Sequence, residues 1–325
     1  MDFLEQVRNT VKQADKKTIV FPESDDIRVL KAVSFLKAEN LVIPILVGNK
    51  DKIQDLAIRE NINISEIEIV DPDLNVTESF IQEFFELRKH KGMTLEKAAE
   101  ILKEPLFFAA MLVRKNQADV AIAGAVNTTG NVLRAAIQVI GLAEGIKVVS
   151  SCFFMVLPKD KVLTFGDCAV IPDPDSEQLA SIAISTSETH LKVTKQTPNV
   201  AMLSFSTKGS AEHDHVTKVI DATNLVKQEK PYLNIDGELQ FDAAYNPEVA
   251  KRKAPESKVA GKANVYIFPD LDAGNIGYKI TERLGNAQAI GPIIQGLAKP
   301  FNDLSRGCSV EDIINTACIC SLLAS

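Results

Sequence analysis

The feature that most constrains the fold is an alternation of two hydrophobic periods along the first third of the chain. Short runs rich in β-branched and apolar residues occur at 18–21, 42–47, 66–70 and 120–123. The segments between them, such as 27–36 and 76–87, carry apolar residues at helical spacing. Strands that alternate with helices are typical of an α/β fold with a mostly parallel, buried sheet. The strictly alternating run at 66–70 favours an edge strand of that sheet.

The pattern changes after residue 147. Two strand-like runs, 148–157 and 162–170, are joined by the turn Pro158-Lys159-Asp160-Lys161, as in an antiparallel hairpin. Further segments then alternate again, with helical patterns at 175–191 and 213–227 and strand-like patterns at 200–206, 233–241 and 265–268. This predicts a second α/β domain over residues 148–289.

The last part of the chain combines an apolar stretch at 290–297 with a helix that starts at Ser309. We expect it to return to the first domain, which then comprises residues 1–147 plus 290–325. That return would place the loop at 302–309 near a cleft between the two domains.

Composition excludes several functional classes. The chain has 325 residues, a net charge of −7, four Tyr and no Trp, which argues against nucleic acid or an anionic membrane surface as a partner. No apolar stretch approaches the ~20 residues of a membrane span, and the acidic start does not resemble a signal peptide, so we expect a cytoplasmic protein. The five cysteines form no Cys-x-x-Cys pair. They are expected to be reduced thiols rather than disulfides or zinc ligands.

The most informative motif is the polar segment Asn302-Asp303-Leu304-Ser305-Arg306-Gly307-Cys308-Ser309, which leads directly into the last predicted helix. The amide donors of a helix start and the guanidinium of Arg306 could converge on one anion, so the motif predicts a phosphate site. Ser309 and Asp312 also have the spacing of a capping box variant, and in that interpretation Arg306 merely forms an ion pair at the surface. The two interpretations are compatible.

Two other arginines are candidates for anion binding. Arg134 lies early on a helix that follows the strand at 120–123, where ligands collect in open α/β sheets; alternatively it is a solvated helical residue. Arg88 begins the segment Arg88-Lys89-His90-Lys91-Gly92 at the end of a helix. Basic residues complement the negative helix end and Gly92 suits the C′ position, so anion binding is the secondary interpretation there.

Other site classes are not indicated. Gly124 and Gly130 have the wrong spacing for a P-loop, and no Gly-Lys-Ser/Thr follows. The acidic segment from Asp270 lacks the glycine and glutamate of a calcium loop, and no metal site is predicted. Cys308 could be an acyl-carrying nucleophile, but no histidine is near it in sequence, and a small buried residue is the commoner meaning.

These segments closely resemble the phosphate acetyl/butyryltransferase family, and the resemblance extends essentially from end to end. It is strongest over 291–312, which contains Lys299-Pro300 and the segment 302–309. Residues 236–242, 260–265 and 268–275 are also similar to that family. The chain resembles the short form of the phosphate acetyltransferases (phosphotransacetylases), without the extra amino-terminal domain of longer members.

The resemblance implies that the chain transfers an acetyl group between coenzyme A and inorganic phosphate. The products are acetyl phosphate and free coenzyme A, and the thiolate attacks directly within a ternary complex. Coenzyme A is then a substrate, and no tightly bound cofactor or metal is implied. The family also implies a homodimer and two α/β domains with an interdomain cleft, the isocitrate dehydrogenase-like architecture.

The resemblance assigns roles residue by residue. Asp312 would be the base for the thiol, Arg306 the ligand of the phosphoryl or acyl oxygens, and Ser305 a hydrogen-bond donor to the transition state. Arg88 and Arg134 would hold phosphates of coenzyme A or of the other substrate. Asn127 stands where many family members have histidine.

Proton transfer from the thiol of coenzyme A to Asp312 is unfavourable in water. A thiol with a pKa near 8.5 and an aspartate with a pKa near 3.9 differ enough that transfer in water is uphill by roughly 6 kcal/mol. Burial of Asp312 would raise its pKa, whereas a helix start and Arg306 would lower the pKa values of both groups.

Three alternative functions remain open from the sequence. A phosphate butyryltransferase would run the same reaction with a longer acyl chain. A coenzyme A-binding regulatory module without catalysis is disfavoured by the intact Ser305, Arg306 and Asp312. A metal-dependent decarboxylating dehydrogenase is weaker still, because neither a clustered acidic site nor a dinucleotide fingerprint is present in the sequence.

Overall fold

The computed structural model describes residues 3–324 and has a mixed α/β architecture with two sheets. The first part of the chain forms the elements α1 (Phe3–Gln13), β1 (Thr18–Phe21), α2 (Ile27–Ala38), β2 (Ile43–Val47), α3 (Lys50–Arg59), β3 (Glu68–Val70), α4 (Pro72–Asn75), α5 (Glu78–Arg88), a 3₁₀ turn (Lys89–Lys91), α6 (Leu95–Ile101), α7 (Pro105–Arg114), β4 (Val120–Ala123) and α8 (Thr129–Val139). The second part forms β5 (Ser150–Leu157), β6 (Lys161–Gly166), α9 (Ser176–Thr194), β7 (Asn199–Leu203), α10 (Asp214–Glu229), β8 (Asn234–Leu239), α11 (Phe241–Tyr245), α12 (Pro247–Lys253), β9 (Val265–Ile267), α13 (Leu271–Gly285), β10 (Gln288–Gln295), β11 (Phe301–Asp303) and α14 (Val310–Leu323).

The chain divides into two compact units. The first unit contains the described residues up to Ala143 and those from Leu297 onward, and the second contains Glu144–Gly296. Each unit is built around one sheet. Residues 290–296, which the sequence pattern assigned to the first domain, therefore lie in the second unit. The physical reason is strand pairing, because β10 forms an antiparallel ladder with β5 from Gln288 to Gln295.

The first unit contains a five-stranded parallel sheet with the order β11-β4-β1-β2-β3. The short strand β3 lies at the edge, as the alternating run at 66–70 predicted. All four residues of the inner strand β4 are buried, as expected for a parallel strand that is covered on both faces.

One strand of this sheet was missed by the sequence pattern. The sequence pattern placed residues 302 and 303 in a polar loop, yet they belong to β11, which pairs in parallel with β4 and has Asp303 opposite Ala123. Asn and Asp are disfavoured in strands, so the local sequence gives no strand signal. The neighbouring strand provides the ladder that these residues join.

The core of the first unit contains α7, in which every residue from Leu106 to Val113 is buried. A helix that is apolar on all sides must be covered on all sides. Two phenylalanine rings of α7 pack against two of α5. The ring centroids of Phe108 and Phe80 are 6.0 Å apart, and those of Phe107 and Phe84 are 5.8 Å apart. These contacts fix α5, the helix that ends at Arg88.

The second unit contains a six-stranded mixed sheet with the order β10-β5-β6-β9-β7-β8. β5 and β6 form the antiparallel hairpin that the turn at 158–161 predicted. β6, β9, β7 and β8 are parallel. Within residues 3–324 no helix is both long enough and apolar enough to cross a membrane.

A buried histidine lies on α9 of the second unit. The His190 ring is fully buried, and its Nδ1 lies 2.8 Å from Thr164 Oγ1. Its Nε2 is buried and has no hydrogen-bond partner. Burial disfavours the imidazolium and lowers the pKa of His190 to about 4.

Because His190 is buried in its neutral form, we expect the free energy of unfolding to decrease in acid. Protonation occurs more readily in the unfolded chain, so stability is complete above pH 6.5 and decreases as the pH falls through 6.5 toward 4. The lowered pKa corresponds to about 3 kcal/mol of unfolding free energy between these limits. His190→Gln is expected to remove this component of the pH dependence in urea unfolding curves, whereas His90→Gln, at an exposed position, should leave it unchanged. Equal acid sensitivity of the wild type and His190→Gln would contradict the prediction.

Candidate active site

The polar residues singled out in the first unit lie at one edge of its sheet. β11, β4, β1 and β2 are parallel, so their carboxyl ends lie on the same side. The connections that follow three of these strands are 304–309, 124–128 and 22–26. Ligands of open α/β sheets bind at this edge, which makes these connections the candidate site.

The connection 304–309 forms a tight turn between β11 and α14. The Cys308 amide donates to Ser305 O over 2.9 Å, and the Gly307 amide donates to Ser305 Oγ over 3.3 Å. Ser305 and Arg306 are exposed, whereas Cys308 is buried. The Arg306 guanidinium has no hydrogen-bond or ion-pair partner within residues 3–324. The turn thus presents a free cation directly before a helix start.

A capping box closes the start of α14. Ser309 Oγ accepts from the Asp312 amide over 3.1 Å, while Asp312 Oδ2 accepts from the Ser309 amide over 2.8 Å and from Ser309 Oγ over 2.9 Å. Among the described residues, Asp312 Oδ1 has no hydrogen-bond partner. Asp312 is exposed, so its carboxylate is open to solvent.

Arg28 on α2 holds this turn in place. Its Nη1 donates to Arg306 O over 2.8 Å and to Cys308 O over 2.9 Å. Its Nη2 donates to Ala125 O over 2.7 Å, which joins the turn to the connection between β4 and α8. The planar fork of arginine makes these contacts possible at once.

Asp26 fixes the orientation of the Arg28 guanidinium. Arg28 Nη2 donates to Asp26 Oδ2 over 2.8 Å, and Arg28 Nε donates to Asp26 Oδ1 over 3.0 Å. The backbone amide of Arg28 also donates to Asp26 Oδ1, over 2.8 Å. Burial acts to raise the pKa of Asp26, but the hydrogen bonds from Arg28 outweigh it, and the pKa is lowered. The hydrogen bond with Asp26 raises the pKa of Arg28. No sequence pattern singled out Arg28, because the carbonyl groups that it binds are distant along the chain.

Glu23 organises the connection between β4 and α8. Its buried carboxylate accepts from the Ala125 amide over 2.7 Å, from the Asn127 amide over 2.7 Å and from Asn127 Nδ2 over 2.9 Å. Asn127 therefore anchors its own loop. Glu23 was not a candidate from the sequence.

Asp303 at the end of β11 lies under the turn. Thr129 Oγ1 on α8 donates to Asp303 Oδ2 over 2.6 Å, and Oδ1 is buried without a partner. Burial is the main cause that raises the pKa of Asp303 to about 6, and the nearby Glu23 adds to it, whereas the Thr129 hydrogen bond opposes it. Gly124 permits this packing, because a Cβ there would lie 2.3 Å from Asp303 Oδ1 and 2.5 Å from Leu304 N, at a φ of +104°.

The remaining arginine candidates lie on helices of the same unit. Arg134 is exposed on α8, the helix that begins with Thr129. Arg88 is half-buried at the last position of α5. Within the described residues, neither forms a hydrogen bond with Ser305, Arg306 or Asp312. Ser305 and Arg306 lie on the turn before α14, and Asp312 lies in the first turn of that helix.

The buried thiol of Cys308 is a poor nucleophile in this environment. Burial raises its pKa to about 11, and although Arg28 opposes the shift, the carboxylates of Asp312, Asp26 and Glu23 add to it. A thiol with this pKa carries little thiolate at neutral pH. The geometry favours a packing role over an acyl-carrying one.

The side chains of the site suit an anion rather than a metal. Across the described residues, no group of three or more His, Cys, Asp or Glu is arranged to hold a metal ion. A free guanidinium next to a helix start is a typical receptor for phosphate oxygens. The same motif supports a family assignment, because a sequence model described as "Phosphate acetyl/butaryl transferase" matches residues 2–321.

The chain belongs to this family.

Relatives in the phosphate acetyl/butaryl transferase family match over nearly the whole chain. The "Phosphate acetyltransferase" of Clostridium acetobutylicum is 49% identical over 325 residues, which cover 98% of this chain and 97% of that one. A solved phosphotransacetylase from Streptococcus pyogenes has a TM-score of 0.95 at 42% identity, and the match covers 99% and 98% of the two chains. The "EutD phosphotransacetylase from Staphylococcus aureus" has a TM-score of 0.92 at 45% identity with the same coverage.

For this member of the phosphate acetyl/butaryl transferase family, we predict that Arg28→Lys loosens the turn at 304–309. Lysine lacks the fork that reaches Arg306 O, Cys308 O and Ala125 O together. Losing hydrogen bonds from a charged donor should cost about 1–3 kcal/mol of stability. Amide hydrogen exchange at 305–309 is expected to accelerate.

A matched control is Arg59→Lys, because the Arg59 side chain is 72% exposed on α3. It should leave both the unfolding free energy and the exchange rates at 305–309 unchanged. Unaltered exchange in Arg28→Lys would show that the turn holds its shape without the guanidinium.

Proposed function

We propose that this chain is a phosphate acetyltransferase, which interconverts acetyl-CoA plus phosphate with coenzyme A plus acetyl phosphate. Membership of the family and the names of the full-length relatives support the reaction. The observation that carries the site is the exposed, unpartnered guanidinium of Arg306 directly before the start of α14. Coenzyme A, acetyl phosphate and phosphate are the substrates, and no tightly bound cofactor is part of the proposal.

Arg306 is the residue that binds the phosphoryl group or the acyl oxygen. Its guanidinium can donate two parallel hydrogen bonds to phosphate oxygens. Ser305 lies next to it on the same exposed turn, so its hydroxyl can donate to an oxygen that gains negative charge in the transition state. The contacts from Arg28 to the backbone of this turn limit how far both side chains can move.

Asp312 is the base for the thiol of coenzyme A. Its Oδ2 is held by Ser309, which leaves Oδ1 to accept the thiol proton. The thiolate then attacks the acetyl carbon of acetyl phosphate, a carbon–sulfur bond forms, the carbon–oxygen bond to the phosphoryl group breaks, and phosphate leaves. In the reverse direction phosphate attacks the thioester and the thiolate regains its proton.

The exposure of Asp312 sets a requirement on the complex. Proton transfer from a thiol to an exposed carboxylate is uphill by roughly 6 kcal/mol. Bound coenzyme A would cover the carboxylate and remove its water, which disfavours the charged form of the group and makes the proton transfer less unfavourable. Arg306 and the start of α14 would stabilise the thiolate at the same time.

Arg88 and Arg134 complete the proposed substrate site as ligands of coenzyme A phosphates or of the other substrate. Arg134 is exposed and free of protein partners within the described chain. Arg88 is half-buried at the carboxyl end of α5. Both therefore retain a charge that an incoming anion can neutralise.

A homodimer and a cytoplasmic location are further parts of the proposal. The helix α13 exposes Ile276, Ile280 and Leu284 at four-residue spacing, with exposed fractions of 56%, 53% and 80%. Such an apolar stripe is suited to contact with a second copy, and sedimentation velocity would measure the assembly. All five cysteines are buried thiols, which is compatible with a reducing compartment.

The direct test of the function is a coupled assay of coenzyme A-dependent loss of acetyl phosphate in the presence of a chelator. We expect turnover that needs coenzyme A and is insensitive to the chelator. Butyryl phosphate assayed in parallel would decide between acetyl and butyryl transfer. The absence of turnover with every acyl phosphate would favour a non-catalytic coenzyme A-binding module.

Asp312→Asn is expected to lower kcat by about 10²- to 10⁴-fold, because general-base catalysis contributes this much. The substrate KM values should change little. Asparagine can still accept from the Ser309 amide, so the capping box and the fold are retained. The measurements are initial rates and a thermal unfolding curve.

Asp51→Asn is a suitable control, since Asp51 lies in the first turn of α3 and is exposed. Its kinetics should match the wild type. Near-normal turnover of Asp312→Asn would remove Asp312 from the mechanism.

Arg306→Lys should weaken the use of acetyl phosphate strongly, with a loss in kcat/KM of about tenfold or more. Lysine keeps the charge but cannot form the bidentate contact with phosphate oxygens. Because the Arg306 side chain has no protein partner, stability should be unaffected. Arg283→Lys on α13, where the side chain is 80% exposed, is the control. An unchanged kinetic profile would contradict the role of Arg306.

A further inference from the structure

A buried carboxyl group at the base of the proposed phosphate turn has no assigned role. Asp303 is 2% exposed and lies two positions before Ser305. One of its oxygens accepts from Thr129, and the other is buried without a partner. An unpartnered buried oxygen is costly when the group is ionised.

A second buried carboxyl group lies close by. Glu23 is 3% exposed and interacts electrostatically with Asp303. The two groups differ in their hydrogen bonds, since Glu23 accepts three and Asp303 accepts one. Asp303 therefore has fewer donors than Glu23 to offset the cost of burying a negative charge, and burial is the main cause that raises the pKa of Asp303.

The other charged groups around Asp303 do not neutralise it. Its neighbours are β4, the start of α8 and the connection from β1 to α2. On these elements Arg134 is exposed, and Arg28 pairs with Asp26. Glu23 is the charged group that acts on Asp303 itself.

We propose that Asp303 is a positioning residue that couples anion binding at the Ser305–Arg306 turn to the uptake of a proton. Its carboxyl group joins the turn to the start of α8 through Thr129, and in the ionised form it places a second negative charge beneath the anion. Protonation removes that charge. This inference rests on the proposed function of the turn and adds a linked proton to it.

The sign of the effect follows from electrostatics. The pKa of Asp303 is about 6 in the free chain, so the group is mostly ionised at neutral pH. A bound dianion raises this pKa further, and a proton enters as the anion binds. The affinity for a dianion must then decrease as the pH rises through about 6.

The probe is sulfate, which keeps two negative charges from about pH 5 to pH 8, unlike phosphate. Its dissociation constant is measured by calorimetry and by competition against acetyl phosphate in initial-rate kinetics. For the wild type we expect the dissociation constant to rise roughly fivefold across this range, because one nearby unit charge in a partly hydrated environment repels the anion. Asp303→Asn, which is neutral and similar in shape, should make the constant independent of pH in this range.

Two neighbouring variants should shift the inflection in opposite directions. Glu23→Gln removes the adjacent negative charge, so the inflection should move to lower pH. Thr129→Val removes the hydrogen bond that favours the carboxylate, so it should move to higher pH. A merely structural role would change affinity or stability without these opposite shifts. Thr129→Ser, which keeps the hydroxyl, should restore the wild-type inflection.

The outcomes separate this inference from the function of the site. The inference alone is overturned if the wild type turns over acetyl phosphate but its sulfate affinity has the same pH dependence as that of Asp303→Asn. No sulfate binding and no turnover by the wild type would overturn the proposed function as well. If Asp303→Asn fails to fold, the opposite shifts in Glu23→Gln and Thr129→Val decide the matter, and equal or absent shifts overturn the proposal.

Discussion

The fork of Arg28 is the interaction on which the candidate site depends. One guanidinium, oriented by Asp26, donates to the backbone of the turn at 304–309 and of the connection after β4. Without such a donor, carbonyl groups from two connections would face each other at the edge of the sheet. The arginine compensates for them, and it leaves the Arg306 side chain free to face solvent.

The three carboxyl groups of the site differ in burial and in hydrogen bonding. Asp312 is exposed, and a capping box fixes one of its carboxylate oxygens, which leaves the other open to solvent. Glu23 is buried and accepts three hydrogen bonds, which fix the connection between β4 and α8. Asp303 is buried with one donor, and its pKa is raised. Three residues with the same functional group thus acquire different chemistry from solvent access and hydrogen bonding.

Much of the fold could be predicted because its signals are local. The apolar run at 18–21 predicted β1 with the bounds that the structure has. The turn at 158–161 predicted the hairpin of β5 and β6. The spacing of Ser309 and Asp312 predicted the capping box. β11 was missed, and residues 290–295 of β10 were assigned to the other domain, because a strand's place depends on its neighbour rather than on its own residues.

The sequence by itself determined the alternation of strands and helices, the family, and the grouping of Ser305, Arg306 and Asp312, since all of these depend on residues close together along the chain. Only the tertiary structure decided the roles of Arg28, Glu23 and Asp303. Arg28 reaches a carbonyl 278 residues away, and Thr129 reaches Asp303 across 174 residues. Burial and hydrogen bonding over such separations arise from packing, and packing is what sets the pKa of a carboxyl group.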